Sequence, residues 1–245
     1  MGKYLRKHWP LFYKFYQEII GEIYYEFLGI GFLFRLYSRR KLHRCEEIYK
    51  DPVEILFNFH QGIKLYRLNS SQIQSEIKQL FNFVKDIQPN VICEIGADMG
   101  GTLYLWSKVL QENGLIISID LPRLYRKSVN RFIRSFFSKL QRASFIREDS
   151  HSTRCLQKIN EILGKGSVDF LFIDGDHSYD GVMKDFKLYS KFVKSGGLIA
   201  FHDIAIDDKA EDVCEVIKFW NEIKRQYKYE EIIEEGGCGI GVLYV

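Results

Sequence analysis

Five carboxylates, Glu94, Asp120, Asp149, Asp174 and Asp203, each fall at or just inside the carboxyl end of a short apolar run. If those runs are strands of one parallel sheet, the five meet in the crevice beyond the strand ends, where open α/β sheets bind their ligands. Carboxylates converging on one cleft repel one another, so the cleft calls for a cationic ligand or a metal. The first run leads into Glu94-Ile95-Gly96-Ala97-Asp98-Met99-Gly100-Gly101-Thr102. Its glycines let the backbone approach a ligand and take positive φ. A dinucleotide fingerprint would need glycine at 98, where Asp98 would instead repel a pyrophosphate seated on the next helix N-terminus. A positively charged, phosphate-free nucleoside fits better, and S-adenosylmethionine is the common one.

The elements that must position these residues follow from hydrophobic periodicity. Ile73, Ile77, Leu80, Phe81, Val84 and Ile87 recur at helical spacing, Ser71 with Gln74 suits a capping box, and Pro89 ends the helix. VICEIG (91–96) then reads as a strand, followed by a helix through Leu103, Trp106, Val109 and Leu110. LIISID (115–120), SFIRED (144–149), VDFLFID (168–174) and GGLIAFHD (196–203) continue the alternation, with a basic helical stretch reaching Arg142 between the first two. Buried strands separated by helices predict a Rossmann-like, mostly parallel α/β sheet with right-handed crossovers and helices on both faces. After a helix through Val213, Val216, Ile217 and Trp220, KYEEIIEE and GIGVLYV flank Gly236 and Gly237 and predict a C-terminal antiparallel hairpin. Cys93, Trp106 and Trp220 read as packing residues, and Asp176 and Asp180 as turn or capping residues.

The turn EIGADMGGT, the acidic strand end ISID and the long motif FLFIDGDHSYDGVMKDFKLYSKFVKSGGLIAFHDI together resemble the class I S-adenosylmethionine-dependent methyltransferases. Within them the resemblance is to the family that includes the cephalosporin-hydroxylase-like and macrolide sugar O-methyltransferases. It runs from about Gln72 to Val245, and the long motif is far more specific than the glycine turn. It implies a seven-strand sheet in which Glu94, Gly96, Ala97, Gly100, Gly101 and Thr102 surround the methionine part of the donor. Asp120 would hydrogen-bond the ribose, Asp149 and Ser150 would lie near adenine, and Asp174 would border the same site. The resemblance also implies a divalent metal, Mg²⁺ or another, between Asp174 and the pair His202 and Asp203, with His177 as general base. An unperturbed imidazole near pKa ~6.5 could take the acceptor's proton at neutral pH. His202 stands where some relatives carry a carboxylate, and a His/Asp/Asp set would also accept Mn²⁺, Fe²⁺ or Zn²⁺.

Composition bounds the rest. The 245 residues are 46% hydrophobic and 27% charged, which excludes disordered and low-complexity classes. The net charge of +3 argues against a nucleic-acid partner. Five widely spaced cysteines with no CxxC indicate neither a disulfide framework nor a structural zinc, and fit a reducing, cytoplasmic setting. The longest apolar stretch, FLGIGFLF (27–34), is well short of the ~20 residues a spanning helix needs. Residues 1–70 read as an aromatic-rich helical extension preceding a methyltransferase domain over 71–245. The extension, with Arg39, Arg40, Lys41 and Arg44, reads as a peripheral membrane contact, an arm for homo-oligomers, or helices packed on the domain. The basic run from Arg123 to Arg142 reads as a solvated amphipathic helix or a site for an anionic partner. The expected activity is metal-assisted O-methylation of a hydroxyl on a sugar or other small molecule. The competing readings are a metal-dependent hydroxylase or hydrolase on the same fold, and a non-enzymatic membrane-surface module.

Overall fold

Five apolar runs form adjacent parallel strands: β1 (Val91–Ile95), β2 (Leu115–Asp120), β3 (Arg142–Arg147), β4 (Val168–Ile173) and β5 (Val193–His202). The computed structural model describes residues 30–59, 72–122, 126–205 and 214–245. The aromatic start up to residue 29, the expected boundary near residue 70, Ser71 and Arg123 lie outside them. Two antiparallel strands, β6 (Lys228–Ile232) and β7 (Ile240–Tyr244), complete a seven-stranded sheet of order β3-β2-β1-β4-β5-β7-β6. The order reverses between β1 and β4, and the carboxyl ends of those two strands open the crevice in which α/β sheets bind ligands.

Side chains alternate across each strand, so one sheet buries two cores. Ile92, Ile116, Phe170, Phe172, Leu198 and Val242 face one of them. Cys93, Ile117, Ile119, Leu171, Ile173, Ile199 and Phe201 face the other. The first core is covered by α1 (Ile30–Ile48), α2 (Pro52–Asn58), α3 (Gln74–Asp86), α4 (Gly101–Val109) and α5 (Arg126–Ile133). The second is covered by α6 (Thr153–Leu163), α7 (Tyr179–Tyr189) and α8 (Val216–Ile223). Ser152 and Ser178 cap α6 and α7 by accepting from Cys155 N and Gly181 N, satisfying amides that each helix start leaves unpaired.

The helices before β1 belong to the same body. Leu42 of α1 and Val53, Ile55 and Leu56 of α2 are buried in the first core, and Glu46 of α1 pairs with Lys108 of α4 at 2.8 Å. No described helix is long and apolar enough to cross a membrane.

Two local expectations are corrected. α3 starts after Ile73, which offers no side-chain cap, so Gln74 forms no capping box. The basic stretch is helical only to Ile133 with a 3₁₀ turn to Phe136, and β3 begins at Arg142 rather than Ser144. β3 is an edge strand that is buried at one position only, so its Arg-bounded sequence lacks a continuous apolar signal. In the stretch itself Phe132, Ile133 and Phe136 are buried and Arg131 and Arg134 exposed, as a solvated amphipathic element requires.

Candidate active site

The crevice at the strand reversal holds a cavity of about 420 Å³, within the usual range for small-molecule sites. It is bounded by Ile95 and Gly96 at the end of β1, Asp120 and Leu121 at the end of β2, Glu148 to His151 after β3, and Asp174 to Asp176 after β4. Gly96 makes the closure possible. Its φ is +89°, and a Cβ there would sit 1.8 Å from the carbonyl oxygen of Asp174, so only glycine lets the β1 and β4 loops meet. The amide of Gly96 donates to Ile119 O at 3.0 Å and that of Asp174 to Ile95 O at 2.9 Å, which continues the ladder to the cavity floor.

Asp98, Asp120, Glu148, Asp149, Asp174 and Asp176 all line this cavity. Glu148 is ion-paired to Lys158 at 2.6 Å and Arg154 at 3.1 Å. Asp176 accepts from Ser178 N at 3.0 Å, the turn role its position predicts, and that bonding outweighs burial to hold its carboxyl below the ordinary range. The resulting wall is acidic and attracts a cation.

Of the residues expected around the donor, Gly96, Asp120, Asp149, Ser150 and Asp174 border the cavity. Glu94, Ala97, Gly100, Gly101 and Thr102 do not; all five are buried beneath the turn. Glu94 points to the α4 side of the sheet, where its Oε1 accepts from Trp106 Nε1 at 3.2 Å. Burial pushes its carboxyl up to about 8, with Thr102 and Trp106 offsetting only part of the effect. A carboxyl protonated in the fold and ionised when unfolded favours the fold at low pH. Its contribution is present below about 4.5 and is lost as pH rises toward 8. Glu94→Gln should therefore flatten the pH dependence of thermal unfolding and raise Tm at pH 8 more than at pH 5. The gain at pH 8 would correspond to a few kcal/mol, on the order of 1.4 kcal/mol per pKa unit. Parallel shifts at both pH values would exclude a protonated Glu94.

Sequence reasoning missed several contributors, Glu148 among them. Asp98 lines the cavity with a φ of +33°, although its acidity served in the sequence only to exclude a pyrophosphate. His151 lines it too, with Nε2 3.1 Å from Asp185 Oδ1, and Asp185 is itself pushed up to about 6 by burial. Gln72, far away in sequence, donates from Nε2 to Asp174 Oδ2 at 2.7 Å.

Beside the cavity, β4 and β5 bring together His177, His202, Asp174 and Asp203. His177 Nδ1 lies 2.9 Å from Asp203 Oδ2 and its Nε2 3.5 Å from Asp174 Oδ1. His202 Nδ1 lies 2.9 Å from Asp203 Oδ1 and 3.2 Å from Asp174 Oδ1. Asp174 and Asp203 push His177 up to about 10. Burial lowers His202, yet the same carboxylates outweigh it and carry that imidazole up to about 9. Burial raises Asp203, but the two histidines outweigh it and hold the carboxyl well below the usual range. This corrects the expectation of an ordinary imidazole at His177: with no cation bound it is an imidazolium at neutral pH. The cluster is then neutral, two imidazoliums against two carboxylates, and a divalent cation with both imidazoles deprotonated would leave it neutral as well.

The sheet order and the crevice at its reversal are those of the class I methyltransferase fold. Residues 93–204 match a family model described as a methyltransferase domain. Among solved structures, the O-methyltransferase TomG from Streptomyces achromogenes, involved in tomaymycin synthesis and solved with S-adenosylmethionine, superposes with a TM-score of 0.56. It is 17% identical, over 80% of this chain and 89% of TomG. An O-methyltransferase from Bacillus cereus in complex with S-adenosylhomocysteine superposes with a TM-score of 0.55 at 17% identity, over 84% of this chain and 91% of its own. At those identities the likeness is one of fold. An uncharacterised protein, R132, of Acanthamoeba polyphaga mimivirus is 58% identical over 36 residues, which span 15% of this chain and only 16% of that protein.

Proposed function

We propose that the protein transfers the methyl group of S-adenosylmethionine to a hydroxyl oxygen of a sugar or another small molecule, with a divalent metal beside the donor. The observation that carries the reading is the cavity at the strand reversal of a methyltransferase domain, walled by six carboxylates. The donor joins a sulfonium, an ammonium and one carboxylate to an adenosine without phosphate, a net positive charge, and an acidic wall suits it as it would repel a nucleotide. In this reading Asp120 holds the ribose, Asp149 and Ser150 border the adenine, and Gly96 brings the β1 backbone against the methionine part. Both structural neighbours named above are O-methyltransferases solved with the donor or its product, which favours methyl transfer over a hydroxylase or hydrolase.

His177 sits just outside that cavity on the loop after β4, and in this reading it takes the acceptor's proton. The residues present suit a divalent cation. His202 is buried, and its Nε2 has no hydrogen-bond partner among the described residues. Asp203 and His202, with Asp174 adjacent, would hold the ion. Bound there, it would neutralise the carboxylates that keep His177 protonated and would lower the pKa of the acceptor hydroxyl.

Isothermal titration of the protein with S-adenosylmethionine tests the reading without knowledge of the acceptor. One donor bound per chain is expected, followed by methylation of at least one compound in a panel of sugars and hydroxylated small molecules. Folded protein that binds no donor, with or without a divalent cation, overturns it.

A further inference from the structure

Asp203 leaves β5 with φ +65°, a left-handed conformation that an aspartate keeps only when its surroundings impose it. Those surroundings contain two sets of ligand atoms, each lying within 4.8 Å of one another: His202 with Asp203 and Cys238, and His177 with Asp203 and Cys214. Asp174 belongs to neither set. In the second, the Cys214 thiol faces the carbonyl oxygen of Asp203 at 3.9 Å. The first is better prepared for an ion. His202 is only 4% exposed, its Nε2 has no hydrogen-bond partner among the described residues, and its Nδ1 meets Asp203 and Asp174 at ion-pair distance.

Cys238 reaches this place from the loop between β6 and β7, and that loop is pinned. Ala205 N donates to Cys238 O at 2.8 Å and Ile204 N to Gly239 O at 3.3 Å, tying the loop to the segment that follows Asp203. On its other side the buried Glu76 accepts from Glu234 N and Gly239 N, each at 3.1 Å. A preset backbone lowers the ordering cost of ligation.

We propose that His202, Asp203 and the Cys238 sulfur form a three-ligand site for a borderline divalent metal of the Zn²⁺, Fe²⁺ or Co²⁺ kind, with a further position left open. This rests on the reading that the cluster takes a divalent cation, and it fixes the class of cation and adds a ligand. Mg²⁺ asks for near-octahedral oxygen donors. One nitrogen, one carboxylate oxygen and one sulfur instead match the N, O and S ligands of tetrahedral zinc-type sites with a vacant fourth corner. On coordination the sulfur–metal bond replaces the thiol S–H, and the proton passes to solvent.

Co²⁺ serves as the probe, titrated into the metal-free full chain and followed by absorption. One Co²⁺ per chain is expected, with a sulfur-to-cobalt charge-transfer band that a large excess of Mg²⁺ does not remove. Cys238→Ser should abolish the band and weaken Co²⁺ binding at least ~10-fold, as losing even an outer-shell partner does, whereas Cys214→Ser should keep both. Co²⁺ binding without the band, a band that survives Cys238→Ser, displacement by Mg²⁺, or no binding at all would each overturn the site. If Cys238→Ser fails to fold, the wild-type spectrum, Mg²⁺ competition and survival of the band in Cys214→Ser decide the matter. S-adenosylmethionine titrated into the same samples separates the two readings: donor binding without a cobalt signal leaves methyl transfer standing alone, and a cobalt signal without donor binding does the reverse.

Discussion

Replacing Asp120 with alanine should weaken S-adenosylmethionine binding by roughly 10- to 150-fold, the range expected when a hydrogen bond to a charged group is lost. Asp120 ends β2 in register with Arg147 of β3 and borders the cavity two strands from Asp174. In the proposed reading its carboxylate accepts from the ribose hydroxyls, and alanine at the strand end leaves that acceptor's place empty. Asp120→Asn keeps the shape and one acceptor oxygen, so it should lose less than the alanine variant. Isothermal titration of both variants, with unfolding curves to show that each is folded, gives the measurement. A dissociation constant unchanged in Asp120→Ala would remove Asp120 from the donor site and with it the placement of the ribose.

The strands were legible because a parallel sheet covered on both faces demands continuous apolar runs, and β1, β2, β4 and β5 supply them. β3 lies at the sheet edge, is buried at one position only and is bounded by arginines, so the sequence pattern places its start two residues late. The same period of two explains Glu94. One position separates it from Ile95, which lines the cavity, and that single step turns its side chain to the α4 face and Trp106. Proximity in the sequence to a ligand loop says nothing of which face a strand residue takes unless the register is known.

What the sequence could not show is whatever depends on distant segments meeting. Gln72 bonds Asp174 across 102 positions, and Cys238 joins His202 only because β7 runs antiparallel to β5 and returns the preceding loop to the end of that strand. The absence of CxxC argues against a structural zinc, yet that spacing rule covers ligands supplied by one loop and not by two strand ends. The charge of His177 has the same origin. An isolated imidazole titrates near pKa ~6.5, but Asp174 from β4 and Asp203 from β5 grip both of its nitrogens.

That grip sets the second large effect. His177→Gln should lower kcat by about 10²- to 10⁴-fold, the usual contribution of a positioned general base, while donor affinity stays within about twofold because His177 does not border the donor cavity. A base must be unprotonated to act, so activity rises with pH through its pKa. With no divalent cation the rising limb should lie near 10, where the carboxylates hold His177. A cation on Asp203 would weaken that hold and draw the limb toward neutrality. Stability runs the other way: a raised imidazole pKa stabilises the metal-free fold fully below about 6.5, and the contribution is lost as pH rises through about 10. His177→Gln should thus cost Tm at pH 6 and little at pH 10.5. Rate–pH profiles with and without cation, run alongside melts of both proteins, separate the outcomes. A glutamine variant that turns over at the wild-type rate, or a limb that ignores both the substitution and the cation, would assign the acceptor's proton to another group. A loss of kcat together with donor affinity would instead mark His177 as a residue that shapes the donor site.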